Sequence, residues 1–287
     1  MTRTCPLATK LPGPNNFTLP SFVIHNAAHC FPCVRSYNFP VPSKLSPTLP
    51  NSATASPHDD LAARVTNCEL CPRLRTYCAE IARTRRRTYA DWEYWGRPVP
   101  SFGDPAARVL ALGLAPGAHG SNRTGRPFTG DGSGNFLYPV LHATGFASQP
   151  LAHSRNDGMR LDRLWITSAM RCAPPGNKPL PSELKNCAPF LDEEVALLTE
   201  LRVVVCLGKI SFDSYIAHLL RTEKIHSRKG LIFTHGAEYA VPDGQHLLAA
   251  YHPSLQNTNT GLLTRAMLEA IFHRARILAG LEYQSSE

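Results

Sequence analysis

Short apolar runs alternate with longer amphipathic segments along most of the chain. Runs rich in aliphatic and β-branched residues predict strands at residues 108–115, 164–169, 202–207, 231–234 and 246–251. Apolar positions at helical spacing predict helices near residues 58–88, 133–144, 182–201, 210–220 and 261–278. The run Val203-Val-Val-Cys-Leu207 is apolar throughout, as is usual for a parallel strand buried on both faces. The alternation therefore predicts a layered α/β domain.

The first predicted helix, over residues 58–88, rests on four leucine or valine positions that share roughly one face. These positions are Leu61, Val65, Leu70 and Leu74.

The first 57 residues have a different composition. They contain ten prolines, no Asp or Glu, and only four Lys or Arg. Such a segment buries too little apolar surface to fold by itself. We therefore expect a disordered, Pro-rich extension over residues 1–57 and one folded domain over residues 58–287. The extension lacks the amphipathic, Arg-rich helix of a transit peptide, and an extra leader or a start codon assigned too early is the alternative interpretation.

The charge of the chain suits a polyanionic partner. The net charge is +8, and the segment Arg83-Thr-Arg85-Arg86-Arg87 carries four guanidinium groups in five residues. This segment predicts either a nucleic-acid contact or a solvated helix end. No apolar run approaches the roughly 18 residues of a membrane span, which predicts a soluble protein without a membrane partner.

Three unusual loops follow predicted strands. Glycine and proline dominate residues 113–134, which read GLAPGAHGSNRTGRPFTGDGSG; the other two loops are RCAPPGNKP at residues 171–179 and His252-Pro-Ser254. Ligands of α/β domains gather at the carboxyl ends of strands. The three loops therefore predict one binding site, in which glycines let the backbone approach a ligand closely.

Four cysteines have a spacing that suits a metal centre. Cys68-Glu-Leu-Cys71 is a C-x2-C pair, and Cys172 and Cys187 are separated by 14 residues. Two such pairs can close one tetrahedral thiolate site for zinc or an iron–sulfur cluster. Unrelated buried thiols are the alternative. Because no secretory signal precedes nine cysteines, a reducing compartment is expected.

The remaining cysteines with a local pattern are interpreted as lying outside that site. Cys30-Phe-Pro-Cys33 repeats the spacing inside the extension, where no second pair accompanies it. Cys206 lies in the middle of a predicted strand and is interpreted as a core residue. Cys78 is interpreted as a thiol outside the site.

The three loops and the four cysteines together resemble the uracil-DNA glycosylase superfamily, specifically its iron–sulfur family 5 (type B) enzymes. The resemblance covers about residues 60–280 and rests on Gly113-Leu-Ala-Pro-Gly117, Gly125 to Asp131, Arg171 to Lys178, and His252-Pro-Ser254 with Asn257 and Thr260-Gly261. It implies a single three-layer α/β domain with a short, mainly parallel central sheet flanked by helices.

The resemblance also implies an activity. Family members are monofunctional glycosylases that flip out and excise uracil, and often hypoxanthine or related deaminated bases, from DNA, which starts base excision repair. Double-stranded DNA is therefore the expected partner of a monomer in a prokaryotic cytoplasm, beside the nucleoid. The implied cofactor is a structural [4Fe–4S] cluster bound by Cys68, Cys71, Cys172 and Cys187.

Matching the motifs assigns roles to residues of the loops. Phe128 is expected to stack on the flipped base, and His252 is expected to donate a hydrogen bond to the oxygen of the departing base. Asp131 is expected to activate water or stabilise the oxocarbenium-like sugar, or else to cap the following helix. Asn177 is expected to be a polar helper in catalysis or a turn former.

The remaining site residues contact DNA or base through the backbone or as a wedge. Backbone amides from Gly113 through Ala115 to Gly117 can approach base and phosphate. Leu255 or Gln256 is expected to fill the space of the flipped base, with Ser254 and Thr260 on phosphates. An exposed loop with a helix cap is the alternative interpretation of that segment.

Three alternatives remain open from the sequence. A family 4 enzyme would carry an acidic residue where this chain has Leu114. A non-catalytic nucleic-acid-binding protein could use the same fold and cluster, with Arg83 to Arg87 on phosphates. A zinc protein could use the same four cysteines.

Overall fold

The computed structural model describes residues 55–281. Its strands are β1 (Phe102–Gly103), β2 (Val109–Gly113), β3 (Leu164–Ser168), β4 (Val203–Leu207), β5 (Glu238–Val241) and β6 (Gln245–Ala250). Its helices are α1 (Pro57–Thr66), α2 (Pro72–Thr84), α3 (Ser121–Thr124), α4 (Gly132–Ala143), α5 (Pro181–Leu197), α6 (Lys209–Arg221), α7 (Leu255–Asn259) and α8 (Arg265–Leu278). None of these helices is long and apolar enough to cross a membrane.

The strands form one sheet in the order β1-β3-β2-β4-β6-β5. The four inner strands are parallel, and the two edge strands are antiparallel to their neighbours. Strands β2, β3 and β4 are buried at every position, as their apolar runs predict. The mainly parallel sheet is therefore confirmed.

Helices cover both faces of the sheet, which confirms the three-layer architecture. On one face Val109, Val205 and Leu248 pack with residues of α4 and α8, such as Leu141 and Phe272. On the other face the alternate strand positions pack with residues of α5 and α6, and Cys206 is buried there as a core residue. The period of two along each strand sends successive side chains to opposite layers.

The predicted strand at residues 231–234 is wrong. Ile232 is 68% exposed, and its amide and carbonyl hydrogen-bond to the Tyr239 hydroxyl at 3.1 and 2.6 Å. The Tyr239 hydroxyl thus occupies the amide and carbonyl of Ile232, which a strand would use to pair with a neighbouring strand. The edge strand is instead β5, whose alternating exposed and buried positions carry a weaker apolar signal than a continuous run.

The single helix predicted over residues 58–88 is also wrong, because the chain forms two helices there. A turn separates α1 from α2, and Pro72 stands in the first turn of α2, where its missing amide hydrogen is tolerated. Leu70 lies in the turn and is 60% exposed, whereas Leu61, Val65 and Leu74 are buried as predicted.

The helix predicted over residues 261–278 begins later, at Arg265. Thr264 caps α8 by accepting a hydrogen bond from the Met267 amide at 3.3 Å. The preceding loop contains the short helix α7, which the sequence pattern did not predict. The strand β1 was not predicted either, since two residues are too few for a periodic signal.

Candidate functional site

A cavity of about 520 Å³ opens where the loops after β2, β3 and β6 meet, at the carboxyl ends of neighbouring parallel strands. Nine of the ten residues predicted for catalysis or substrate binding line it. They are Ala115, Gly117, Phe128, Asp131, Asn177, His252, Ser254, Leu255 and Gln256. The tenth, Gly113, lies beneath the Phe128 ring. The fold thus brings together side chains that are as much as 141 positions apart in the sequence.

Phe128 forms one apolar wall of the cavity and is only 8% exposed. A Cβ atom on Gly113 would stand 2.8 Å from the ring, so only glycine leaves room for it. The ring centre of Phe128 is 5.9 Å from that of His252. Phe128 has a φ of +50°, a strained conformation for a side chain of this size. Strain of this kind persists only where the surroundings fix the loop.

A buried ion pair fixes that loop. Arg126 donates hydrogen bonds to both carboxylate oxygens of Asp157 at 2.8 and 2.7 Å, and its Nε donates to the Thr129 hydroxyl at 2.9 Å. Burial of Asp157 opposes ionisation, but the Arg126 guanidinium and three backbone amides hold the pKa of that carboxyl well below its usual range. The bidentate geometry orients the chain on both sides of Phe128.

Asp131 caps α4 and also faces the cavity. Its Oδ1 accepts a hydrogen bond from the Gly134 amide at 3.0 Å, as in the structural alternative. Its Oδ2 points at the loop before α3, because a Cβ on Gly117 or Gly120 would lie 2.7 or 2.0 Å from it. Burial raises the pKa of Asp131, although amide hydrogen bonds and the charge of Arg123 act in the opposite direction. Capping and a catalytic role are therefore compatible.

His252 lies where β6 ends, partly buried against Phe128. Burial lowers its pKa to about 4, so the imidazole is neutral at physiological pH. Asn257 donates a hydrogen bond to the His252 carbonyl at 2.8 Å and thereby fixes the backbone. Within residues 55–281, no group hydrogen-bonds to the ring nitrogens, so a neutral N–H is available to a ligand in the cavity.

Asn177 stands at the rim of the cavity and is exposed. Its φ of +57° follows the +60° of Gly176, so it also forms a turn, as in the alternative interpretation.

The segment after β6 also lies at the rim. Ser254 caps α7 through a hydrogen bond from the Asn257 amide at 3.3 Å. Leu255 is 58% exposed, and its side chain lies against Gly132. Gln256 beside it is exposed as well. Both wedge candidates are therefore exposed at the rim of the cavity.

The sequence pattern did not assign six further residues that line the cavity. They are Leu114, Ser121, Gly132, Ser133, Ser168 and Pro174. Ser168 is the last residue of β3, which is the signal that could have pointed to it, since residues at strand ends face such a site.

Three of the four predicted cysteine ligands pack in a separate apolar cluster, with Cys172 and Cys187 buried and Cys71 against them. Cys68 is partly exposed and lies near Cys187. Burial is the main cause that raises the pKa of Cys187, and the charges of Cys71 and Cys68 raise it further. Buried thiols of raised pKa are poor nucleophiles. The two buried thiols, Cys172 and Cys187, are therefore unsuited to act as nucleophiles.

Ion pairs hold the three cysteine-bearing elements together. Arg171 precedes Cys172 and pairs with the buried Glu194 of α5 at 2.7 Å. Arg73 of α2 pairs with Glu183 of α5 at 2.7 Å. Cys78, interpreted from the sequence as outside the site, is buried next to Cys172 and donates to the Ala173 carbonyl at 3.6 Å. Cys30 and Cys33 lie outside the described residues.

The part of the chain that matches known proteins contains the loops that form the cavity. The family model of the uracil DNA glycosylase superfamily matches residues 100–276, which is more than half of the chain. The chain belongs to the uracil DNA glycosylase superfamily. The superfamily match contains all three cavity loops and the cysteines Cys172 and Cys187.

Curated relatives place the chain within the superfamily. The type-5 uracil-DNA glycosylase of Thermus thermophilus is 52% identical over 217 residues, which are 76% of this chain and 96% of that protein. The type-5 enzyme of Mycobacterium bovis is 45% identical over 224 residues, or 78% and 82% of the two chains. The type-4 enzyme of Sulfurisphaera tokodaii is 28% identical over 197 residues, or 66% and 77%. The prediction of family 5 rather than family 4 is confirmed.

Proposed function

We propose that this protein is a monofunctional uracil-DNA glycosylase that flips uracil out of DNA, hydrolyses its N-glycosidic bond and thereby starts base excision repair. The observation that carries the proposal is a single cavity that joins an aromatic wall, a neutral imidazole and a partly buried carboxylate. The superfamily match and the type-5 relatives support the same reaction. Other deaminated bases such as hypoxanthine are proposed as further substrates.

The cavity suits a flipped base because it offers a flat apolar contact and polar groups around it. Base flipping costs a few kcal/mol, least for a mispaired base such as uracil opposite guanine. Stacking on Phe128 recovers about 1–3 kcal/mol. The glycines of the loop after β2 leave the backbone amides accessible to base and phosphate.

Hydrolysis replaces the bond between C1′ and the base nitrogen with a bond from C1′ to a water oxygen. Negative charge develops on the departing base, where the neutral N–H of His252 can stabilise an oxygen. Positive charge develops on the sugar, where the Asp131 carboxylate can stabilise it and accept a proton from the attacking water. Asn177 at the rim is proposed as a polar helper.

The exposed Leu255 or Gln256 is proposed to occupy the space that the flipped base leaves, and Ser254 and Thr260 to contact phosphates. Duplex DNA is accordingly proposed as the substrate, and a monomer is proposed as the working form. We further propose residues 58–287 as the glycosylase domain, residues 1–57 as an extension, and a prokaryotic cytoplasmic location beside genomic DNA.

We also propose that Cys68, Cys71, Cys172 and Cys187 bind a [4Fe–4S] cluster. No three His, Cys, Asp or Glu among residues 55–281 are grouped closely enough to hold a single metal ion. The packing of Cys71, Cys172 and Cys187 in one cluster, with Cys68 near Cys187, supports these four thiols as the ligands. Bound there, the cluster supplies structural support to α2 and α5 rather than chemistry.

Replacing Cys187 with alanine tests the cluster. Cys187→Ala is expected to lose most of the iron and sulfide, about four of each per chain in the unaltered protein, and to unfold at a lower temperature. Cys206→Ala is the matched control, because it removes an equally buried thiol from β4. Metal analysis and thermal unfolding are the measurements. Zinc without iron in the unaltered protein, or full iron retention in Cys187→Ala, would contradict the assignment.

Base release from defined duplexes tests the activity itself. Purified protein is expected to produce alkali-labile breaks only at uracil in duplexes that place uracil, hypoxanthine or xanthine opposite each partner base. The comparison also reveals which deaminated bases are substrates. Salt-dependent binding without release of any base would favour the non-catalytic nucleic-acid-binding protein instead.

A further inference from the structure

An arginine-rich surface lies beside the cavity loops but outside the cavity. The segment from residue 83 to residue 97 contains five arginines and only two acidic residues, Asp91 and Glu93. Helix α2 ends at Thr84, and Arg85 adopts a φ of +56°, which turns the chain away from the helix. The side chains of Arg85, Arg86 and Arg87 are exposed, and we call these three residues the arginine shelf.

None of the three arginines of the shelf has an acidic partner within residues 55–281. Arg83, just before the shelf, is paired with Glu80 at 2.7 Å, and Arg85 donates one hydrogen bond to the Ala90 carbonyl at 2.7 Å. In the part of the chain that the structure describes, neither Arg86 nor Arg87 forms an ion pair or a side-chain hydrogen bond. Their charges are therefore available to a polyanion.

The shelf is attached to the loop that forms one wall of the cavity. The Arg86 amide donates to the Tyr94 hydroxyl at 3.3 Å, and that hydroxyl hydrogen-bonds to His119 at 3.1 Å. The amides of Trp95 and Gly96 donate to backbone carbonyls of α3, both at 2.9 Å. Helix α3 begins at Ser121, which lines the cavity.

A buried cation makes this attachment rigid. The guanidinium carbon of Arg123 lies 3.9 Å from the ring centre of Tyr89 and 4.1 Å from that of Trp92. The same guanidinium donates to the Gly130 carbonyl at 2.7 Å, directly before Asp131. The Arg123 side chain thus joins the segment that carries the shelf to Gly130, the residue before Asp131.

We propose that Arg86 and Arg87 bind backbone phosphates of the duplex that flanks the flipped base. This inference rests on the proposed glycosylase function. The shelf is joined to the cavity loops by the hydrogen bonds through Tyr94, His119 and the backbone of α3. Successive phosphates of one strand rise by about 3.4 Å along the duplex axis. The contacted phosphates are therefore expected within about five nucleotides of the uracil.

The salt dependence of binding tests the shelf directly. Arg86→Gln with Arg87→Gln is expected to weaken binding to a uracil duplex at least tenfold at low salt and to reduce the slope of log affinity against log salt by about 2. A 2′-fluoro group on the uracil nucleotide slows cleavage during the titration. The matched control is Arg160→Gln with Arg202→Gln, which removes two exposed charges near the amino ends of β3 and β4. An unchanged slope in the shelf variant would overturn the proposal.

Neutral phosphates locate the contact. Single methylphosphonate groups are placed at each of the positions within about five nucleotides of the uracil, on either strand. Unaltered protein is expected to lose affinity at one or two of these positions, and the shelf variant is expected to be insensitive there. Equal losses in both proteins at every position would contradict the contact. Uracil release by the unaltered protein, measured in the same preparation, tests the glycosylase function independently of the shelf.

Discussion

Replacing Asp131 with asparagine is expected to lower the single-turnover rate of uracil excision by about 1,000-fold while the fold stays intact. General acid–base groups typically contribute about 100- to 10,000-fold, and an amide can neither accept a proton from water nor carry the negative charge that faces the sugar. Asparagine is also a good helix N-cap, so its side-chain oxygen can still accept the Gly134 amide. Rapid-quench measurement of uracil release gives the effect on the excision rate, and thermal unfolding gives the effect on the stability of the fold.

Asp131→Ala is the control for the capping role. It is expected to lose the same activity and, in addition, about 1 kcal/mol of the free energy of unfolding, because alanine leaves the first amides of α4 uncapped. Activity of Asp131→Asn within a few fold of the unaltered protein would refute the catalytic assignment. The helix cap would then be the whole role of this residue.

The raised pKa of Asp131 gives a pH dependence with a defined sign. Burial favours the protonated acid, so the carboxylate is lost at a higher pH than for an ordinary aspartate as the solution is acidified. The neutral acid therefore stabilises the folded protein at a pH below the pKa that Asp131 has in the unfolded chain. This stabilisation is lost as the pH rises through the higher pKa that Asp131 has in the folded protein. At neutral pH, Asp131→Asn is therefore expected to be no less stable than the unaltered protein.

The fold was predictable where local pattern and burial agree. The inner strands are continuous apolar runs because both faces of a parallel sheet are covered. Such runs can be recognised in the sequence without knowing which strands will pair. The errors concern segments whose structure depends on a distant or unusual partner. Ile232 resembles a strand residue until the Tyr239 hydroxyl takes its backbone groups. Leu70 fits a helical face but lies in the turn that Pro72 follows.

The residues of the cavity were predictable from motifs, but their surroundings were not. Phe128 and His252 stand in recognisable loops. Nothing local links Arg126 to Asp157, which is 31 positions away, yet this buried pair holds the strained Phe128 loop. The stacking of Arg123 on Tyr89 and Trp92 is equally invisible in the sequence, because the three side chains meet only after α3 has packed against the preceding segment.

His252→Ala is expected to reduce the excision rate by about 100- to 1,000-fold, the usual loss when one preorganised donor to a developing oxyanion is removed. Glutamine offers a neutral N–H of similar reach, so His252→Gln is expected to retain more activity than alanine. Because burial lowers the pKa of His252 to about 4, its ring stays neutral from pH 5 to 8 and contributes no titration there. Single-turnover rates across this pH range are the measurement.

The two variants can be compared through one pH profile. Any acid limb of the excision rate belongs to Asp131, so it is expected to persist in His252→Ala and to vanish in Asp131→Asn. A limb that vanished in His252→Ala instead would mean that the imidazole acts as a titrating base. His252 also affects the free energy of unfolding, because its pKa is lower in the folded protein than the value of about 6.5 in the unfolded chain. The resulting stabilisation of the native state is present above pH 6.5 and is lost as the pH falls towards 4. His252→Ala should therefore unfold with a weaker pH dependence between pH 4 and 6.5 than the unaltered protein. This outcome is expected if His252 is a neutral hydrogen-bond donor and is not expected if it acts as an imidazolium.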